Sequence, residues 1–491
     1  MKKLFIISVL IQLMLFSASC SEDGLDINTD PNNPTIVDAN LILPVAQKYS
    51  AAIQESYEGQ NKLGNYMMYN WSQSYGYLFI TTEFYYNVTS SFYNEIFDYT
   101  YLKVLKQYEA LYDLEGEKYG YYHAISTIMQ CYHFQIMVDT YGNVPYFETL
   151  QRGDNPTPAY DDALTIYKDL VLQLSNAIAL INATNSNSNI SPLHPGVDDT
   201  MFYGDMNLWK TFANTVKLRI LVRMSDLEEQ HAFIKNEFDQ IANEGSGYIN
   251  SDAIVQMGYI NEQNKMNPKW EKFGKDLQGN ETPYNKSTCA TQYLIDFLNT
   301  TNDPRIDFIY EKPLTGHLGV EQGEEGEQFL PELVSNLGPG ILKGPSQASV
   351  LYTAAECYFN QAEAVSKGLM TGDAKSYYQL GIEASFNYLG ASDASLYYSQ
   401  NMNLVGWDAS QNKQEAIITQ KWIAINSIDA IQSWYDYSRT GYPSNLPIST
   451  LASTTDRPVR LAYPSSEVTS NGENLPLQPD VFNSKVFWAN K

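Results

Sequence analysis

The chain has 491 residues, with 31 Lys and Arg against 56 Asp and Glu, and a formal charge of −25 at pH 7. So acidic a chain is ill suited to nucleic acid, whose binding needs clustered basic side chains to displace counterions. Its four cysteines show neither CxxC nor Cys/His spacing, which argues against a disulfide framework or a zinc site.

The N-terminus reads as an export signal. Lys2 and Lys3 precede 13 mostly apolar residues, Leu4 to Phe16, too few to cross a hydrocarbon core of about 30 Å as a helix. Ser17, Ala18 and Ser19 are small and stand directly before Cys20, in the manner of a bacterial lipobox. The expectation is cleavage before Cys20 and acylation of that residue, each buried CH2 contributing about 0.8 kcal/mol to a lipid anchor. An ordinary secretory signal cut near the same place is the competing reading. Residues 1–19 are then a lipoprotein signal peptide, and 20–36, rich in Asp, Asn and Pro, an acylated N-terminus and polar tether. Asp26, Asn28 and Asp30 copy half a calcium loop, but Pro31 replaces its glycine, and no metal is expected there. From 37 to 491 there is no low-complexity linker, and no later run is expected to approach 18 apolar residues; one mainly α domain is expected.

The early run YMMYNWSQSYGYLFITTEFYYN has no clean helical period and concentrates rings in a chain of 38 tyrosines. Flat rings with polar tips stack on the apolar face of a sugar or hold peptide side chains. Trp71, Tyr75, Tyr77, Tyr85 and Tyr86 are therefore candidate ligand-binding residues, with burial in the core as the competing role. His123 and His133 fall on an aromatic-rich helix and read as packed or hydrogen-bonded side chains.

In DDALTIYKDLVLQLSNAIALI, apolar residues including Ile166, Leu170, Leu174 and Ile178 step by three or four, and Asp161 and Asp162 suit the positive helix start. NLWKTFANTVKLRILVRMSD repeats the pattern around Trp209 and Phe212, with Arg219 and Arg223 four apart to tie helices to carboxylates. From about Gly245 to Gly344, frequent Gly, Pro, Asn and Glu predict loops with short elements, where Trp270 and Tyr284 complete the candidate ligand set. Glu321, Glu324, Glu325 and Glu327 read as a solvated loop. Further on, SVLYTAAECYFNQAEAVSKGL and TGDAKSYYQLGIEASFNYLG form a helix hairpin, with Gly368 as the stop and Ala355, Ala362, Ala374 and Ala384 at close contacts. Its composition resembles a tetratricopeptide unit without the full signature. Cys131 and Cys357 sit in apolar helical patterns as buried thiols.

No HExxH, GxSxG, P-loop or GxGxxG is present, so no catalytic residue and no cofactor is expected. Two distant carboxylates meeting as a glycosidase pair keep a surface hydrolase as an alternative. Arg-Gly-Asp at 152–154 is short enough to arise by chance.

Several of these segments together resemble the SusD/RagB family of Bacteroidetes lipoproteins: the lipobox, Trp209 followed by FANTVKLRILVR, AEC with QAEAVSKG, and YYQLGIEAS. The C-terminal third is the most specific part, through EAIITQKWIAINSIDAIQSWYDYSRTGYP and RPVRLAYPSSEVTSNGEN. The resemblance covers nearly the whole chain. It implies tetratricopeptide-like helix pairs forming an α-superhelical scaffold under a loop-rich ligand-binding face. It also implies a non-catalytic lid over a SusC-like TonB-dependent outer-membrane transporter, capturing a glycan, or alternatively a peptide, at the cell surface. Ser21, Glu22 and Asp23 resemble the family's acidic surface-export signal. Tyr435, Arg439, Tyr442, Arg460 and Tyr463 match framework motifs and are expected to be structural.

Overall fold

The computed structural model describes residues 37–55, 58–77, 81–151 and 154–489. The leader, Cys20, the tether with its half calcium loop, and Arg152 and Gly153 of the Arg-Gly-Asp triplet lie outside the described residues, as does Phe79 of the aromatic run.

Nine helices carry the architecture described here: α1 (Ala39–Glu55), α2 (Gln60–Met67), α3 (Gly120–Tyr141), α4 (Ala163–Ser186), α5 (Met206–Arg223), α6 (Ala354–Ser366), α7 (Ala374–Leu389), α8 (Lys413–Ala424) and α9 (Ala430–Thr440). Their starts follow from short polar side chains. The carboxylate of Asp162 accepts from the Thr165 N–H at 2.9 Å, and Asp205, Thr353, Asp373 and Asn412 cap α5 to α8 in the same way. Each such cap is worth about 1 kcal/mol. Gly368, Gly390 and Gly441 take positive φ just past α6, α7 and α9, where only a residue without Cβ turns the chain without strain.

The apolar stripes set the packing. Ile166, Tyr167, Leu170, Leu174 and Ile181 of α4 are fully buried, each contributing about 1.5–3 kcal/mol. Contrary to the sequence reading, α4 is long and apolar enough to span a membrane by length and composition, but its buried face packs against α3 and α5. Likewise α6 packs on α7, α5 and α8, and α9 lies against α2. The α6–α7 approach is closest at Gly381, where a Cβ would come within 2.8 Å of the Phe359 ring. Ala355 and Ala362 are buried there as expected, whereas Ala374 and Ala384 are only half-buried. Strands are short and antiparallel: 71–73 with 288–290, 144–145 with 160–161, and 253–255 with 349–352.

Through the helices runs a buried charge network. Arg219 clasps Glu356 with two bonds of 2.9 and 2.8 Å and reaches Asp429 at 3.4 Å. Arg223 joins Asp436 at 2.6 Å and Asp139 at 3.2 Å. Lys421 pairs with Asp436 at 2.8 Å, and Arg439 with Glu363 at 2.6 Å. Burial pushes the Glu363 carboxyl up, but Arg439 and Lys367 outweigh it and hold it at about 2. Burial raises Asp429 against the pull of Arg219. The two arginines thus tie helices to carboxylates as their spacing predicts, from the core rather than from a flank. Tyr463 donates to the Asn143 carbonyl at 3.1 Å, Asn412 donates to the Tyr442 hydroxyl at 2.7 Å, and Arg460 holds the Tyr141 carbonyl.

Cys131, Cys289 and Cys357 are buried, and burial pushes the Cys357 thiol up to about 12. His133 bonds the Ser50 hydroxyl at 2.7 Å, and His123 the Leu114 carbonyl at 2.8 Å.

Candidate ligand-binding site

The segment after α2 rises from core to surface in a few residues. Tyr69 takes φ +57, Trp71–Gln73 pairs with 288–290, and the Tyr75 N–H donates to the Phe329 carbonyl at 2.7 Å. Gly76, at φ +88, has open space where a Cβ would sit. That turn presents Tyr75, 37% exposed, and the half-buried Tyr77. Both tyrosines line two adjoining depressions. One, of about 660 Å³, includes Glu281, Lys286, Glu332 and Asn336, and the other, of about 280 Å³, includes Gln73, Phe84, Glu324 and Leu451.

The next turn is latched from below. Glu83 is 3% exposed and takes an ion pair from Lys62 at 3.1 Å and a hydrogen bond from the Tyr93 hydroxyl at 2.8 Å. So held, the helical turn Thr81–Phe84 carries Tyr85 outward, 45% exposed. A depression of about 600 Å³ there is lined by Tyr85, Tyr86, Asn87, Asp456, Phe482 and Asn483. A fourth, of about 550 Å³, continues past Asp456, Phe482 and Asn483 to Tyr437, Arg457 and Lys485. Exposed rings beside amides and carboxylates are suited to stacking on one face of a ligand while bonding its hydroxyls or amides at the edge.

Two sequence candidates move into the core. Trp71 is 1% exposed, with Phe273 against its ring at 5.2 Å and Tyr66 at 5.8 Å. Tyr86 is 2% exposed and takes a positive φ of 53. The Trp71 ring is enclosed by its neighbours, whereas Tyr86, though buried, still lines the depression beside Tyr85. Trp270 is half-buried over Gly274, and Tyr284 packs on Phe273 with Lys272 Nζ 4.0 Å from its ring centre. Neither residue lines the four depressions. Glu321 departs from the solvated loop expected of it: it is half-buried against Tyr69, and burial raises its carboxyl, while Glu324, Glu325 and Glu327 are exposed. The contributions of Asp456, Phe482 and Asn483 had no sequence signal, since they arrive from nearly four hundred positions further on. Among the described residues, no three His, Cys, Asp or Glu side chains are gathered to hold a metal.

A scaffold of helix pairs carrying a looped face with exposed tyrosines defines the class. Residues 31–464 match the family model SusD-like_2, described as "Starch-binding associating with outer membrane", and the chain belongs to that family. No curated protein matches it by sequence. Among solved structures, it is similar to a chitin-binding SusD homolog from Flavobacterium johnsoniae, at 22% identity and TM-score 0.75, over 91% of this chain and 98% of that one. A SusD-like protein from Bacteroides thetaiotaomicron gives 22% and 0.75 over 92% and 99%, and a SusD homolog from Bacteroides uniformis 22% and 0.74 over 92% and 99%. At that identity the likeness establishes the fold.

Proposed function

We propose that this protein is a non-catalytic lipoprotein of the outer membrane that captures an oligosaccharide or polysaccharide on its looped face. It then acts as a lid delivering that ligand to a SusC-like TonB-dependent transporter. The observation that carries the reading is the exposure of Tyr75 and Tyr85, at 37% and 45%, each lining a surface depression, in a segment whose other described rings are mostly buried. The family's description as starch-binding and the printed names of chitin-binding relatives support a glycan. In this reading residues 1–19 are removed, acylated Cys20 and the tether to residue 36 anchor the chain facing the cell exterior, and residues 37–491 form one domain.

Isothermal titration against neutral oligosaccharides and against peptide pools tests the ligand class. Heat with oligosaccharides is expected, and heat with peptides alone would overturn the glycan reading. Co-purification in mild detergent tests the lid, since recovery without any TonB-dependent barrel would count against it. Turnover of a glycan by the purified protein would replace capture with hydrolysis.

A further inference from the structure

A fifth cavity, of about 560 Å³, shares no lining residue with the four depressions around Tyr75 and Tyr85. Its walls come from three segments. Phe97 and Leu102 belong to a helical run from Glu95 to Tyr112, whose middle, Thr100–Leu105, is a π-helix, a form that recurs at functional sites. Pro145, Pro156 and Pro158 come from the segment between α3 and α4, and Glu467 from the short helix Ser465–Ser470. The segments are tied to one another. The Tyr101 hydroxyl donates to the Pro145 carbonyl at 2.6 Å, Ser466 Oγ to Asp98 at 2.6 Å, and Asn471 to the Pro158 carbonyl at 2.9 Å. Walls so bonded, with φ fixed at three prolines, form a cavity before any ligand arrives.

Size and apolar walls suit a small organic molecule, and two carboxylates select its charge. Asp98 and Glu467 line the cavity half-buried, and the donors that hold them are neutral: Ser466 and Asn94 at 2.6 and 2.9 Å for Asp98, Tyr160 and Asn471 at 2.8 and 3.2 Å for Glu467. In the core, by contrast, Glu363 and Asp436 are clasped by arginines. The third acid of the lining, Glu109, accepts from Gln130 at 3.0 Å, and Lys106, the one basic residue of the lining among the described residues, is exposed. Two half-buried carboxylates against one exposed ammonium leave the cavity negative, in line with the field of a chain of formal charge −25. A cation beside apolar walls feels those carboxylates more strongly than it would in open water.

We propose that this cavity is a second binding site, separate from the glycan face, for a small molecule with an apolar body and one cationic group, such as a ring system carrying an amine. The body packs against Phe97, Leu102 and the prolines, and the ammonium group lies beside Asp98 and Glu467. The proposal does not rest on the glycan reading, and either can fail alone.

The test is isothermal titration of the full chain with three indoles of similar shape and different charge: tryptamine, a cation, tryptophol, which is neutral, and indole-3-acetate, an anion. Tryptamine is expected to bind about tenfold more tightly than tryptophol, and indole-3-acetate more weakly than either. Asp98→Asn and Glu467→Gln, which keep the shape of each side chain, should remove most of tryptamine's advantage. Two further variants sit at exposed positions, where folding is little affected. Lys106→Gln should strengthen tryptamine binding about twofold, and Leu102→Gln, at a residue 66% exposed, should weaken all three indoles. Tyr85→Ala should leave tryptamine binding unchanged. Equal affinities for the three indoles, no binding by any of them, or an advantage that survives both carboxylate variants would overturn the proposal. So would loss of tryptamine binding in Tyr85→Ala, which would move the indole to the glycan face.

Discussion

Trp71 donates its indole N–H to the Ser427 hydroxyl at 2.8 Å, across 356 positions of sequence. Ser427 in turn donates its backbone N–H to Asn65 at 3.0 Å, and its carbonyl accepts from Asn61 at 3.0 Å. The aromatic segment is therefore clamped to the loop between α8 and α9 before it reaches the surface. Trp71→Ala should cost about 3–5 kcal/mol of stability, as large-to-small changes of buried aromatics do. Thermal unfolding checks this. An unchanged Tm with ligand binding lost would return Trp71 to the ligand.

Tyr75 and Tyr85 should behave in the opposite way. Exposed rings contribute little to the core, so Tyr75→Ala and Tyr85→Ala are expected to alter stability by about 0.5 kcal/mol or less. Each should weaken oligosaccharide binding about tenfold, near 1.4 kcal/mol. Titration calorimetry beside a melting curve separates the two effects.

Glu363 gives a pH signature. Its folded carboxyl lies near 2, below the usual value of about 4.3, so its contribution is complete above the unfolded value and is lost as pH falls through the folded one. On the order of 3 kcal/mol should disappear between about pH 5 and 2. Glu363→Gln leaves Arg439 short of a buried partner and should destabilise by about 3–5 kcal/mol at neutral pH, while flattening the acid limb of a chemical-denaturation series.

His133 acts in a neighbouring window. Burial lowers its imidazole to about 3, so between pH 6.5 and 3 the unfolded chain binds the proton that the folded chain refuses, and stability falls with pH on the order of 4 kcal/mol. His133→Gln should lose some stability at pH 8 and show a shallower decline from pH 6.5 downward. A parallel decline in the two proteins would exclude His133 as the source.

Periodicity made the scaffold legible: α4 begins one residue after Asp162 and buries the residues its stripe marks. The ligand face was legible only as a region. The run around Trp71 has no helical period because single residues at positive φ, Tyr69 and Tyr86, reverse its direction. Those reversals decide which rings go inward, and their partners, Ser427 for Trp71 and Glu321 for Tyr69, come from distant segments. Lys62 and Glu83 belong to the same difficulty, since nothing in their spacing marks a buried ion pair that aims Tyr85 outward. The family motifs of the C-terminal third proved structural in the contacts of Arg439, Tyr442, Arg460 and Tyr463.

The buried charge network also has a direction in time. Both carboxylates that pair with Arg219 follow it in sequence, by 137 and 210 positions, and Asp436 follows Arg223 by 213. Asp139 precedes Arg223, by 84 positions, but Glu356, Asp429 and Asp436 are synthesised only after the guanidinium groups they pair with. The network around Arg219 and Arg223 is therefore complete only once Asp436 of α9 has been made, which places the closing of the buried core late in the chain.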